Sequence, residues 1–139
     1  MKGAIIGRHS LLPSQQKALE SLQVKIVKQI PQVPTDQKAL EQFIHELKSQ
    51  GIEALIIQAL PIDLLAKLLP HFTIYFMKMQ AVATVESEEE AKKIIEQAPD
   101  KRVAIPAPNR DKKTFRIMEF IGITKIKKIV VEEEFVVRV

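Results

Sequence analysis

The sequence predicts a Rossmann-like α/β domain in which helices cover both faces of a mainly parallel sheet, giving three layers. Short apolar runs typical of buried strands alternate with helical segments through most of the chain. Buried strands joined by helical crossovers form parallel sheets. The chain has 139 residues, of which 46% are hydrophobic and 27% charged, as expected for one soluble domain. No long linker divides it, so we expect residues 1–139 to form a single domain.

The first half of the chain contains three predicted strands and two predicted helices. The strands are continuous or β-branched apolar runs at 4–6, 24–30 and 52–57. Pro13 begins the first helix, 13–22, because proline lacks the N–H that this position cannot use. Thr35 can cap the second helix, whose apolar residues recur at helical spacing, and Gly51 can end it.

The second half is less regular. The predicted elements are a short helix between Pro61 and Pro70, a strand at 72–77 with a broken continuation at 81–85, a helix from 88 to about 98, and a strand at 103–105. Ser87 and Glu90 form a capping box before the last helix, and 109–113 reads as an exposed turn. Residues 114–121 fit a helix or a strand. We favour an antiparallel strand on strand five, followed by a final strand at 125–139.

The composition excludes several kinds of site. The chain has no cysteine, which excludes disulfide scaffolds, thiol nucleophiles and cysteine-based metal centres, and its three histidines argue against a multi-histidine metal centre. We therefore expect no metal and no cofactor. No apolar run is long enough to span a membrane and no signal peptide is evident, so we expect a cytoplasmic protein that does not bind membranes.

Positive charge is concentrated in the C-terminal third. Between Asp100 and Lys128 there are nine basic and three acidic residues, a local net charge of +6 within a chain of net charge +4. This asymmetry favours a phosphate-bearing ligand. An ordinary solvated surface, of the kind common on heat-stable proteins, explains it equally well.

The loop after strand one is the strongest candidate site. Gly7 lets a ligand approach the backbone, Arg8 offers a forked donor for phosphate, His9 offers an acid–base group and Ser10 adds a hydroxyl, all at a helix start that favours anions. The loop matches neither the dinucleotide fingerprint nor the P-loop pattern. The same residues also suit a plain surface turn.

Polar side chains follow the later strands as well. They are Gln58 after strand three, Gln80 after strand four, and Asn109 and Arg110 after strand five. In open α/β sheets ligands bind beyond the carboxyl ends of the strands, where the strand order reverses. These residues could read a base edge or a ribose, although surface turns contain the same residue types.

The segment His9-Ser10-Leu11-Leu12-Pro13-Ser14-Gln15, with the pattern H-x-L-x-P-x-Q after a strand, resembles the small single-domain CARF-like ring nucleases of type III CRISPR systems. The resemblance implies a homodimer that binds and linearises cyclic oligoadenylate, most naturally the tetra-adenylate. It implies that the ribose 2′-hydroxyl attacks its own phosphodiester without a metal, with His9 as acid–base group and Arg8 neutralising charge.

Two other functions fit the sequence. One is a sensor, sponge or regulator that binds a nucleotide or nucleic acid without turnover, although the chain lacks a helix-turn-helix pattern and we expect no duplex DNA binding. The other is a structural partner domain, suggested by the β-branched C-terminal segment, which could pair with another subunit.

Overall fold

The computed structural model describes residues 1–107 and 114–139, and these form one six-stranded mixed sheet with four helices. The strands are β1 (Lys2–Ile6), β2 (Lys25–Ile30), β3 (Ile52–Ile57), β4 (Thr73–Val85), β5 (Arg102–Ala107) and β6 (Thr114–Ile126). The helices are α1 (Pro13–Ser21), α2 (Gln37–Ser49), α3 (Ile62–Leu68) and α4 (Glu88–Glu96).

The strand order is β2-β1-β3-β4-β6-β5. The first four strands in this order are parallel, whereas β6 runs antiparallel to both β4 and β5. The predicted α/β class, with a mainly parallel sheet and antiparallel C-terminal strands, is confirmed, and the arrangement is consistent with a Rossmann-like fold.

Alternate residues of the central strands pack into two apolar clusters. Leu55 and Ile57 of β3 pack with residues of α2 and α3, whereas Ala54 and Ile56 pack with Leu19 of α1. Successive side chains of a strand point to opposite faces, and β3 is buried on both, which explains its nearly continuous apolar sequence. A third cluster lies where α4 packs on β4 and β6.

Two helix caps test the predicted boundaries. Asp36, not Thr35, caps α2, because its Oδ2 accepts a hydrogen bond from the amide of Ala39 at 3.1 Å. Ser87 caps α4 as expected, with its Oγ accepting from the amide of Glu90 at 3.2 Å.

The predicted break in strand four is wrong. β4 continues to Val85, and Gln80 lies within it rather than after it. The strand can be this long because β6 pairs with it from Ile74 to Val85, with irregular register near Lys78 and Ala81. The long antiparallel partner supports a segment that β3 does not reach.

The predicted strand at 114–121 is confirmed, but the final strand at 125–139 is wrong. β6 extends to Ile126, which pairs with Ile74 at the start of β4. Residues 127–139, here termed the C-terminal segment, have no regular secondary structure. These residues lie beyond the first residues of β4, so no part of β4 remains for them to pair with.

None of the helices within the described ranges combines the length and hydropathy required to cross a bilayer.

Candidate functional site

A cavity of about 270 Å³ lies beside the carboxyl ends of β1 and β3. These two strands are neighbours, and the chain leaves β1 for β2 on one side and leaves β3 for β4 on the other. The cavity is therefore at the switch point where ligands bind in open α/β sheets. Its lining residues are His9, Ser10, Leu12, Gln15, Gln58, Met79, Val103, Ala104, Ile105 and Pro106.

The antiparallel part of the sheet forms one wall of the cavity. β3 ends at Ile57, which pairs with Phe76, and β4 continues beyond this point to carry Met79. Residues 103–106 of β5 complete the apolar wall. The cavity thus exists because β4, β6 and β5 extend past the end of the parallel strands.

The start of the β1–α1 loop is held by residues of β2. The Gly7 amide donates to the Ile30 carbonyl at 2.9 Å, and Gly7 has φ of 146°, in the region that favours glycine. Gln29 Nε2 then donates to the carbonyl oxygens of Gly7 at 3.0 Å and His9 at 3.3 Å. Gly7 does not line the cavity, so its contribution is the shape of the loop.

The start of α1 is already occupied by protein groups. Pro13 has no amide hydrogen, and both the amide and the Oγ of Ser14 donate to the Asp100 carbonyl, at 3.1 and 2.8 Å. The predicted anion-binding helix start therefore loses its first two positions. A phosphate at this loop would depend on side chains such as Arg8.

Gln15 is the most deeply buried polar residue of the cavity wall, with 1% of its surface exposed. Its Oε1 accepts from the Leu12 amide at 2.9 Å, which closes the first turn of α1. Its Nε2 lies 3.7 Å from the sulfur of Met79. The Gln15 side chain therefore connects the β1–α1 loop and the first turn of α1 to β4.

Arg102 fixes the β5 wall to its neighbours. Its Nε donates to Glu119 Oε1 at 2.9 Å, and its Nη1 donates to the Ile94 carbonyl at 2.8 Å and to Gln97 Oε1 at 3.2 Å. The ion pair is largely buried, with 17% and 19% of the two side chains exposed. One guanidinium therefore ties β5 to β6 and to the end of α4.

The structure brings together only some of the predicted site residues. His9, Ser10 and Gln58 line the same cavity, as their positions after β1 and β3 suggest. Arg8 is exposed and lies outside the lining set, as does Gln80, which is exposed on β4. Asn109 and Arg110, with the predicted turn at 109–113, lie outside the described residues.

Four parts of the site were not predicted from the sequence: Gln15, Met79, Gln29 and residues 103–106. Gln15 could have been found, because it sits three residues after Leu12 at a helix start, where a glutamine commonly bonds the backbone. The contribution of β5 depends on its pairing with β6 and had no local signal.

The arrangement can bind a flat, partly apolar group and place a histidine beside it. His9 is exposed, and within residues 1–107 and 114–139 its imidazole has no hydrogen-bond partner, although its carbonyl accepts from Gln29. Over the same ranges, no three histidine or acidic side chains are grouped as metal ligands would be. The wall supplies two amides, Gln15 and Gln58, and one hydroxyl, Ser10.

Comparison of the chain with protein-family models, with curated proteins and with solved structures found no match.

Proposed function

We propose that the protein binds cyclic oligoadenylate at the β1–α1 loop and linearises it without a metal, as a ring nuclease of CRISPR antiviral signalling. The observation that carries this proposal is the convergence of His9, Ser10 and Gln58 on one cavity at the switch point of the sheet. The H-x-L-x-P-x-Q resemblance supplies the ligand class. A three-layer Rossmann-like domain in the cytoplasm is the proposed setting.

The size of the cavity limits how the ligand would sit. Pockets for drug-sized ligands measure about 300–1,000 Å³, and this cavity measures about 270 Å³. It has room for one base with part of its ribose, so a ring of four nucleotides would insert a single adenosine and lie across the loop. The phosphates of the ring would then be near His9 and the exposed Arg8.

The proposed reaction uses few protein groups. The 2′-hydroxyl oxygen attacks the adjacent phosphorus while the imidazole of His9 accepts its proton, and the 5′ oxygen leaves with a proton from solvent. The products are a 2′,3′-cyclic phosphate and a 5′-hydroxyl. Binding would hold the attacking and leaving oxygens in line, and Arg8 would offset the added phosphorane charge.

The experiment is incubation of the purified protein with cyclic tetra-adenylate and cyclic hexa-adenylate in EDTA, followed by mass spectrometry. We expect linear products ending in a 2′,3′-cyclic phosphate. Intact ring that co-purifies with the protein would support binding without turnover, and an intact ring that does not bind would reject the proposal.

Binding without turnover is the second candidate function, and one observation favours it. In the described part of the chain nothing orients the His9 imidazole, whereas a working acid–base histidine is usually held by a partner. A sensor or sponge would use the same cavity and would bind stoichiometrically, with salt-dependent affinity.

The proposed homodimer is supported by the C-terminal segment. Its apolar side chains are unusually exposed: Val130 and Val131 at 63%, Phe135 at 75% and Val136 at 91%. Exposed clusters of large apolar residues mark interaction sites, and a second copy of the chain would bury them. The segment leaves β6 where Ile126 pairs with Ile74, at the end of the sheet opposite the cavity.

Truncation tests this part of the proposal. We expect the full chain to be a dimer in light scattering coupled to size exclusion, and the chain ending at Ile129 to be a monomer. Phe135→Ser with Val137→Ser should weaken the dimer without shortening the chain. A full-length monomer at about 100 μM would contradict the homodimer and leave the cavity proposal untouched.

A further inference from the structure

The orientation of the Gln15 amide is fixed by its own hydrogen bond. The Leu12 amide is a donor, so the atom 2.9 Å from it must be the side-chain oxygen, Oε1. The NH₂ group therefore faces the other way, toward Met79 in the cavity wall. Because the residue is 1% exposed, bulk water does not satisfy that group.

The NH₂ group has a weak partner. A thioether sulfur is a poor acceptor, and the Nε2–Sδ separation is 3.7 Å. An amide has two hydrogens to donate, and burying such a group without a good acceptor is unfavourable. Gln15 thus presents a buried donor to a cavity whose other walls, apart from His9, Ser10 and Gln58, are apolar.

The cavity gives this donor a restricted set of possible partners. One wall of the cavity consists of β5 residues 103–106, and all four of those side chains are apolar. The polar lining residues His9, Ser10 and Gln58 do not hydrogen-bond Gln15 Nε2, whose acceptor within the described residues is the Met79 sulfur. A bound molecule can therefore supply a better acceptor. A ring nitrogen suits this position, because it accepts in the plane of a flat, otherwise apolar ring.

We propose that Gln15 is a specificity-determining residue, whose Nε2 donates a hydrogen bond to a ring nitrogen of a purine base in the cavity. This inference rests on the proposed nucleotide-binding function. On binding, the ring nitrogen replaces the sulfur of Met79 as the acceptor, and Oε1 keeps its bond to the Leu12 amide. The residue selects the base and takes no part in the bond-breaking step.

The test pairs changes in the protein with changes in the ligand. Affinity is measured for adenosine 5′-monophosphate and its 1-deaza, 3-deaza and 7-deaza analogues, each of which replaces one ring nitrogen by carbon. The Gln15→Glu variant keeps an acceptor for the Leu12 amide and replaces the NH₂ group by oxygen. If this variant does not fold, Gln15→Met, which removes the whole side-chain amide, takes its place. Gln16→Glu, the same change at the exposed neighbouring residue, is the matched control.

We expect wild type and Gln16→Glu to bind one deaza analogue about three- to tenfold more weakly than the parent nucleotide, the effect of one neutral hydrogen bond. Both Gln15 variants should bind adenosine 5′-monophosphate more weakly than wild type by the same factor. They should bind this nucleotide and that deaza analogue with equal affinity. Unchanged discrimination in the Gln15 variants, or none in wild type, would overturn the role of Gln15 alone. Wild type that binds neither this nucleotide nor cyclic tetra-adenylate would overturn the proposed function as well.

Discussion

Replacing His9 by alanine is expected to slow linearisation of cyclic tetra-adenylate by about 10²–10⁴-fold, the usual contribution of a general acid–base group. The affinity should change little, because His9 is exposed and forms only part of the cavity wall. Single-turnover cleavage in EDTA, with binding measured separately, gives the two quantities.

Two variants serve as comparisons for His9→Ala. His45→Ala removes another exposed histidine, on α2 and outside the cavity, and should cleave like wild type. Arg8→Ala should weaken binding, because in the proposed complex the exposed arginine contacts a phosphate of the ring. Equal cleavage by wild type, His9→Ala and Arg8→Ala would contradict the proposed mechanism.

Replacing Arg102 by methionine should lower the free energy of unfolding by about 2–3 kcal/mol, below the range for breaking a fully buried ion pair because both partners are partly exposed. Methionine keeps much of the packing but removes three hydrogen bonds and leaves the Glu119 carboxylate largely buried without its cation. Urea denaturation measures the loss. Nucleotide affinity should also fall, because β5 forms a wall of the cavity.

A double-mutant cycle with Glu119→Gln separates the ion pair from the other contacts of Arg102. We expect a coupling energy of about 1–2 kcal/mol, since the two side chains are in contact at 2.9 Å. An Arg102→Met protein as stable as wild type would show that β5 is held without this guanidinium.

The parallel part of the fold could be predicted because its signals are local. β3 is a continuous apolar run buried on both faces, and Pro13 and Gly51 mark helix ends in the sequence itself. The antiparallel part could not be predicted to the same depth. Residues 114–121 suit two periodicities, and the length of β4 depends on pairing with β6, whose partner residues are 30 to 52 positions away in sequence.

The C-terminal segment shows why composition alone misleads. Residues 127–139 are rich in β-branched side chains, yet a strand needs a neighbouring edge, and β6 has already reached the beginning of β4 at Ile126. In the single chain the segment has no regular secondary structure and is largely exposed.

The candidate site was predictable where it depends on the ends of parallel strands. His9, Ser10 and Gln58 follow β1 and β3, and the switch-point rule places such residues together. The predicted position of Gln80 after the fourth strand was wrong, because β4 does not end where its sequence suggests. Gln29 and Met79 belong to strand positions whose role depends on the neighbouring strand or on the bulged register of β4.

The most direct test of the central claim is calorimetric titration of cyclic tetra-adenylate into wild type and into Ser10→Trp. Ser10 is an exposed residue of the cavity wall, so tryptophan there should fill the cavity without disturbing the core, and Ser49→Trp on α2 is the matched control. We expect saturable binding to wild type and to the control, with affinity at least about tenfold lower for Ser10→Trp, a difference of roughly 1.4 kcal/mol. Equal binding by all three proteins, or no binding by wild type, would contradict the assignment of this cavity as the ligand site.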